Sequence, residues 1–355
     1  MSKKWVREAK RKSASKQEPD AAPRMNKRLV RPLGQGEAFE RWLRAARQLQ
    51  LPHGLVIEGA PGIGKTTVLQ WLTAALLCPS DIDENEPCGM CRTCTRIAND
   101  LHPDVHVVRR PRDDIEFVQK ETSFHRITVH QVRAVQEELQ RHAVEGRARV
   151  ATFVEADHLQ DDAQNMLLKT LEEPGEATFL ILEVARPEQL LPTVRSRVQR
   201  LRVLPVPDSV ILGELEQRIP QQLGRFGEIV AAAKGSLGLA LSAGTEQAVQ
   251  LHDLVREWLD STQDLRPFAI ARAALSGAEE RRHEIRSARM FLWWMRAELR
   301  GRRDALASSA EGSYAAESLE PWTTWLERTL QADRDLDLQI PPEQVLTACL
   351  VQLMS

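Results

Sequence analysis

The pattern of apolar and polar positions divides the chain into an alternating part and a helical part. In the first part, short apolar runs such as Leu55-Val56-Ile57 and residues 150–154 predict buried strands. Between these runs lie segments whose apolar residues recur every three or four positions, as in amphipathic helices. Because strands that alternate with helices form parallel sheets, the pattern predicts an α/β fold with ligands at the carboxyl ends of the strands.

From about residue 246 the pattern is helical throughout, and a last helix is predicted after the two prolines at 341–342. One helix carries a continuous apolar stripe that steps by three and four residues: Ile285, Ala288, Leu292, Met295 and Leu299. Five of the eight tryptophans lie in this part of the chain. They suit either an ordinary core or an oligomer interface, where tryptophan is enriched.

These patterns predict four regions. Residues 1–28 carry ten lysines and arginines with few aliphatic residues, and we expect a disordered, solvated tail rather than an arm that contacts DNA. Residues 29–205 form the α/β domain, residues 206–245 a small helical lid, and residues 246–355 a helical domain. Met25 begins a stretch with the character of a natural start, so the basic segment before it could be absent from the native protein.

Composition excludes several classes of protein. The formal net charge is −2, so no global basic field drives binding to nucleic acid. No apolar run approaches the ~20 residues that span a bilayer, and the N-terminus lacks the apolar segment of a secretory signal. With five cysteines, nothing suggests a disulfide scaffold. We therefore expect a cytoplasmic protein with no membrane association.

One stretch carries a specific phosphate-binding pattern. Residues 59–66 read GAPGIGKT, which fits G-x-x-x-x-G-K-[ST], between a predicted strand and a predicted helix. Glycines let successive N–H groups turn toward phosphates, and the helix N-terminus adds positive potential. The lysine would reach the β and γ phosphates and the following threonine would ligate Mg²⁺, which predicts binding of ATP or ADP. The predicted nucleotide-binding residues are Gly59, Gly62, Gly64, Lys65, Thr66 and Thr67.

Four of the five cysteines follow the predicted P-loop helix. Cys78, Cys88, Cys91 and Cys94 have the spacing C-x9-C-x2-C-x2-C. Four thiolates close a tetrahedral zinc site, and paired C-x2-C turns suit that geometry. Because no coordination position stays open, the predicted Zn²⁺ is structural. Cys349 lies in the terminal apolar helix and is predicted to be a core residue.

Three further stretches carry a resemblance to a known family. They are Glu155-Ala156-Asp157, the string NMLLKTLEEP at 165–174 and the string LLPTVRSR at 190–197. Together with the cysteine module, they resemble the bacterial clamp loaders of DNA polymerase III, which are AAA+ proteins. The resemblance is strong over 29–205 and weaker to 355.

The resemblance implies an AAA+ P-loop domain with a zinc module at 78–94, then a helical lid, then a helical collar that joins five subunits. We therefore expect the tryptophans of the collar to serve both a core and an interface. The implied partners are the delta and gamma/tau subunits in a hetero-pentamer, the sliding clamp, and primer–template DNA.

Within this family, departures from the ATPase pattern favour the delta-prime branch over the gamma/tau branch. Val154-Glu155 stands where active members have a metal-anchoring Asp followed by Glu, so Glu155 matches the catalytic glutamate of a degenerate site. Val184-Ala185 ends the strand that should carry a polar sensor, and Gly238 replaces a phosphate-sensing arginine. The pattern predicts a subunit that has little or no ATPase of its own, and the intact P-loop leaves nucleotide binding open. The alternative is a gamma/tau-like motor that uses Glu155 with another carboxylate, such as Asp157.

Ser196-Arg197-Val198 matches the serine-arginine-cysteine motif of the family, with valine in place of cysteine. In the family this arginine projects into the ATP site of a neighbouring subunit, and a planar, permanently charged guanidinium suits phosphate contact. The resemblance implies that Arg197 is a catalytic arginine finger in trans, on a subunit that acts as a stator. The alternative is a surface arginine in an arginine-rich segment.

Overall fold

A computed structural model of the chain describes residues 27–80, 85–109, 126–260, 266–278, 280–309, 314–338 and 340–354. All but the last two residues of the predicted basic tail lie outside these ranges. Within them, no helix combines the length and the apolar character that a membrane crossing requires.

The first part of the chain forms a sheet of five parallel strands. They are β1 (Gly54–Glu58), β2 (Val105–Val108), β3 (Arg149–Phe153), β4 (Thr178–Val184) and β5 (Gln199–Arg202). Their order across the sheet is β2-β3-β4-β1-β5, and every pairing is parallel. All carboxyl ends therefore meet at one edge, and the predicted α/β fold class is confirmed.

Helices connect the strands and cover both faces of the sheet. In chain order they are α1 (Gly36–Arg47), α2 (Lys65–Leu77), α3 (Arg92–Ala98), α4 (Val129–Leu139), α5 (Asp161–Glu172) and α6 (Pro192–Arg195), with 3₁₀ turns at Ala156–His158 and Pro187–Gln189. Local sequence sets where two of them begin. Thr128 and Gln131 form a capping box at the start of α4, and Pro192 occupies the first turn of α6, where its missing N–H has no cost.

Alternating side chains of the strands supply two separate cores. Leu55 and Ile57 of β1 pack on one face with Leu72 of α2, whereas Val56 between them packs on the other face with Leu167 of α5. Because successive strand side chains point to opposite faces, a strand covered on both sides must be apolar at every position. This explains why β1 and most of β4 are continuous apolar runs in the sequence.

The remainder of the described chain is helical. Its helices are α7 (Asp208–Arg218), α8 (Phe226–Ala233), α9 (Leu237–Ala243), α10 (Glu246–Asp260), α11 (Pro267–Ala274), α12 (Arg281–Ser309), α13 (Tyr314–Asp335) and α14 (Pro342–Met354), with a 3₁₀ turn at Pro220–Arg225. One apolar cluster extends from Val206 to Leu353 and includes most of the predicted stripe of α12. Trp294 is buried in it and stacks on His252 at a centroid distance of 3.8 Å. Cys349 is buried in the same cluster, as predicted.

A buried aspartate connects β2 to the loop that precedes β3. Asp104 is 2% exposed, and its carboxylate accepts backbone N–H groups of Val144 at 2.5 Å, Glu145 at 2.8 Å and Gly146 at 2.6 Å. Burial favours the neutral acid, but the three donors outweigh it, so the pKa of Asp104 lies below its usual range. The ionised carboxylate is therefore part of the folded state.

We expect Asp104→Asn to lower the free energy of unfolding by about 1–3 kcal/mol at neutral pH, because the amide turns an N–H group toward backbone donors. Since the folded pKa is depressed, this contribution is complete above the unfolded pKa of about 3.9 and is lost as pH falls through the folded pKa. Urea unfolding of both proteins across this pH range measures the difference. A stability difference that stayed constant down to acid pH would contradict the role of the ionised carboxylate.

Candidate nucleotide site, zinc centre and interface arginine

The P-loop joins β1 to α2 at the carboxyl edge of the sheet. Gly62 and Gly64 have φ values of 74° and 103°, in the left-handed region that glycine adopts without strain. The loop thereby curls around the N-terminus of α2, whose first N–H groups have no partner within the helix. Lys65 begins α2, and two threonines follow it. The predicted nucleotide-binding residues, all within 59–67, thus lie together in the loop and the first turn of α2, where N–H groups of a helix N-terminus are available to an anion.

The charges of three carboxylates act on the P-loop lysine. Lys65 is 7% exposed, and its ammonium donates a hydrogen bond to the backbone oxygen of Ala60 at 3.1 Å. Burial lowers the pKa of Lys65, while the negative charges of Glu183, Asp157 and Glu155 oppose that shift. The lysine and these carboxylates form an ionic cluster at the carboxyl edge of the sheet.

One member of this cluster, Glu183, was missed by sequence reasoning. It lies near the end of β4 and is 5% exposed, and its Oε2 accepts a hydrogen bond from the Thr66 hydroxyl at 2.9 Å. Burial raises the pKa of the Glu183 carboxyl, and the Thr66 hydrogen bond and the charge of Lys65 act in the opposite direction. A signal was present in the sequence, because a single acid inside the apolar run 180–185 requires a polar partner.

The end of β3 is where the family pattern places an aspartate that anchors the metal ion. Val154 is buried and apolar, so this position offers no ligand. Glu155 has a left-handed φ of 57°, and the chain turns there into the 3₁₀ segment that follows β3. Asp157 is buried and pairs with Arg186 at 3.5 Å. The carboxylate bonded to the P-loop threonine is therefore Glu183 rather than Asp157, which the motor alternative assigned to the metal.

The lid helix α9 packs directly on the P-loop. The Ser236 hydroxyl donates a hydrogen bond to the Gly62 oxygen at 2.6 Å. A Cβ added at Gly238 would lie 3.2 Å from the same oxygen. The position where the family resemblance places a phosphate-sensing arginine thus faces the loop backbone, and its glycine brings no charge. At the end of β4, Val184 is fully buried and offers no hydrogen bond from its side chain.

The four predicted zinc ligands converge on one point. The Sγ atom of Cys78 lies 3.7 Å from that of Cys88 and 3.8 Å from that of Cys91, and all four Sγ atoms, including that of Cys94, lie within 4.8 Å of one another. A tetrahedral site with Zn–S bonds of about 2.3 Å has edges of about 3.8 Å. The donor set and its spacing therefore fit Zn²⁺ in a closed, structural site.

The cysteine cluster is built into the core of the P-loop domain. Cys78 directly follows α2 and Cys94 lies in α3, and both side chains are buried in the apolar cluster that contains Trp71. Gly89, in the first C-x2-C turn, has a φ of 72°, and a Cβ there would contact the Trp71 ring at 3.6 Å. Loss of the metal would therefore disturb the packing around α2, the helix that begins at the P-loop.

The thiols of the cluster differ in their tendency to ionise. Burial would raise the pKa of Cys88, but the backbone N–H groups of Met90 and Cys91 outweigh it and lower the pKa to about 6. Burial raises the pKa of Cys94 well above that of an ordinary thiol. A bound cation would supply the charge that a buried thiolate at Cys94 needs.

Arg197 lies at the opposite edge of the sheet from the P-loop. It precedes β5, which runs parallel to β1, and a Cβ added at Gly54, the first residue of β1, would lie 3.2 Å from the Arg197 backbone oxygen. The P-loop follows the last residue of β1, about 13 Å further on at ~3.3 Å per residue. Arg197 is therefore one strand length away from the P-loop of its own chain.

The Arg197 side chain is held loosely at the surface. Its guanidinium pairs with Glu172 at 2.6 Å and donates to the backbone oxygen of Thr193 at 3.0 Å, and the two charged side chains are 38% and 51% exposed. An exposed ion pair of this kind contributes about 0–1 kcal/mol. Glu172 thus orients the guanidinium without preventing it from turning to another partner.

The parallel sheet, the P-loop after β1 and the helical lid on that loop define a P-loop α/β protein of the AAA+ class. Residues 34–207 match the family model described as "DNA polymerase III, delta subunit". Over this segment, which is just under half of the chain, the protein is similar to the delta-prime subunits of DNA polymerase III, as the resemblance predicted.

Individual proteins show the extent of this similarity. The delta-prime subunit of DNA polymerase III from Escherichia coli K12 is 31% identical over 204 residues, which are 58% of this chain and 58% of that one. The tau subunit from the same strain is 29% identical over 209 residues, 58% of this chain but 30% of its own. A solved DNA polymerase III gamma subunit-related protein from Thermotoga maritima is 16% identical, with a TM-score of 0.43, over 88% of this chain and 98% of that one. The chain thus spans a little over half the length of the delta-prime relative.

Proposed function

We propose that this protein is the delta-prime subunit of a DNA polymerase III clamp loader, which helps to load the sliding clamp onto primed DNA in replication. In this role it acts as a stator beside delta and gamma/tau subunits in a hetero-pentamer, in the cytoplasm. The observation that carries the proposal is the matched delta-prime segment, residues 34–207. Residues 206–245 would form the lid and residues 246–355 the collar, whose tryptophans would serve both the apolar core and a subunit interface.

The nucleotide site supports binding of ATP or ADP with Mg²⁺ but not its rapid cleavage. Lys65 and the N–H groups of the loop would hold the phosphates, and the Thr66 hydroxyl would supply a ligand to Mg²⁺. Phosphoryl transfer also needs charge stabilisation around the transferring group. Val184 and Gly238 supply none at the two positions where active family members have a sensor, and Glu155 alone remains as a degenerate base.

Arg197 acts on a neighbouring subunit. Its position at the amino edge of β5, one strand length from the P-loop of its own chain, argues against a role in cis. Its exposed, weakly paired guanidinium is free to reach a phosphate across an interface. The chain would thereby supply a catalytic arginine to the ATP site of the neighbouring subunit.

A gamma/tau-like motor is the second candidate. The intact P-loop and the carboxylate of Glu183 beside Thr66 favour it over a wholly inert site. Glu155 would then be the catalytic base. Turnover of ATP by the isolated chain distinguishes this candidate from the stator.

Reconstitution tests the proposed function. Mixed with delta, gamma/tau, the sliding clamp and primer–template DNA, the full chain should enter a stable complex and support clamp loading, whereas the mixture without it should not load. The readout is the amount of clamp retained on circular primed DNA after gel filtration. Equal loading without the chain, or failure of the chain to enter the complex, would contradict the proposal.

A further inference from the structure

A buried acid on β4 stands beside the P-loop threonine. β1 and β4 are neighbours, and Glu183 lies in register with Ile57, one residue before the end of β1. From there its carboxylate reaches across to Thr66 in the first turn of α2, at 2.9 Å. The acid is more than nine-tenths buried, so its charge acts on this loop and not on solvent.

The direction of this hydrogen bond prepares the hydroxyl for a cation. A threonine hydroxyl has one proton and two lone pairs, and a carboxylate can only accept. Because the Thr66 hydroxyl donates a hydrogen bond to Glu183, the lone pairs of its oxygen remain free for Mg²⁺, which prefers oxygen ligands. The carboxylate itself is a further oxygen donor, either directly or through a metal-bound water.

The charges of the surroundings also call for a cation. Three carboxylates, Glu183, Asp157 and Glu155, act on the P-loop lysine. Of the arginines nearby in the described part of the chain, Arg186 pairs with Asp157. Arg109, whose charge also acts on Glu183, pairs with Asp100. Nucleotide phosphates would add more negative charge next to Glu183. Without a metal they would be repelled by this buried acid, whereas a divalent cation between them would be attracted to both.

We propose that Glu183 anchors the Mg²⁺ of the bound nucleotide in place of the carboxylate that is absent at Val154. The proposal rests on the nucleotide binding proposed above. It makes Glu183 a positioning residue that acts through Thr66 and the metal, on the strand next to the one that the family pattern uses. Nucleotide affinity in this chain then depends on Mg²⁺ through Glu183.

Nucleotide titration of the full chain with Mg²⁺ and with EDTA tests this role. We expect the wild type to bind ADP more tightly with Mg²⁺, and Glu183→Gln to reduce that enhancement by about tenfold or more, as loss of a metal-orienting partner does. In EDTA the variant should bind as well as the wild type or better, because the repelling charge is gone. A double-mutant cycle adds Thr66→Val, in whose background Glu183→Gln should have little further effect.

Glu58→Gln is the matched control. Glu58 lies at the carboxyl end of β1, the strand next to the one that carries Glu183, but it pairs with Arg200. It should keep the full Mg²⁺ enhancement. Mn²⁺ with ADP gives an independent readout, since its electron paramagnetic resonance signal should report weaker ion binding in Glu183→Gln. An unchanged Mg²⁺ enhancement in Glu183→Gln would overturn the proposal, and so would absence of nucleotide binding by the wild type. Clamp loading by the reconstituted complex is a separate readout, so the delta-prime role is tested independently of this proposal.

Discussion

Replacement of Arg197 by alanine should lower ATP hydrolysis at the neighbouring site of the assembled complex by about 10³-fold or more. Arginine fingers supplied in trans contribute about 10³–10⁵ to the rate because they stabilise charge on the transferring phosphoryl group. The measurement is single-turnover hydrolysis in a complex whose other ATP sites carry a substituted P-loop lysine. In the isolated chain the same substitution should leave nucleotide affinity unchanged, because Arg197 lies a strand length away from its own P-loop.

Two variants control for local structure. Arg195→Ala removes another exposed arginine two residues away and should leave the rate unchanged. Arg197→Lys keeps the charge but loses the planar, bidentate geometry, and should recover only part of the rate. Normal hydrolysis by an intact Arg197→Ala complex would show that the residue is an ordinary surface arginine.

Removal of one cysteine from the predicted zinc site should have the largest effect on stability. Cys94→Ser should abolish zinc binding and lower the free energy of unfolding by on the order of 4 kcal/mol or more, because zinc contributes about 10–16 kcal/mol in small zinc peptides. The serine would leave a polar group among buried residues of the domain core. Metal analysis and thermal unfolding, with and without chelator, measure both effects.

Cys349→Ser controls for the loss of a buried thiol. Burial raises the pKa of Cys349 to about 12, and it lies in the helical part, away from the four clustered cysteines. Its substitution should cost stability without loss of zinc. A Cys94→Ser protein that retained both its metal and its melting temperature would contradict the zinc assignment.

The strands and the P-loop were predictable because local patterns determine them. Leu55-Val56-Ile57 is a short apolar run with two β-branched residues directly before a glycine-rich loop, which favours a strand. In that loop Gly62 and Gly64 occupy the left-handed conformations that glycine adopts without strain. The four cysteines were equally predictable, since paired C-x2-C turns bring thiols together through local geometry.

Contacts between distant segments were not predictable in the same way. Glu183 contacts Thr66 only because β4 lies next to β1 in the sheet. The local sequences of these two strands do not determine that they are neighbours. The distance of Arg197 from its own P-loop likewise depends on β5 pairing with the far side of β1. The apolar residues around Glu183 in the sequence indicate a buried acid. They do not indicate which residue it contacts.

In the proposed function, this chain holds a nucleotide that it does not cleave. The most direct test is to load the isolated chain with ATP and Mg²⁺, remove excess nucleotide, and follow the bound ATP over time by chromatography. We predict that the ATP remains intact until it dissociates, and that Glu155→Gln changes nothing. Rapid conversion to ADP that is lost in Glu155→Gln would contradict the claim and identify the chain as a motor.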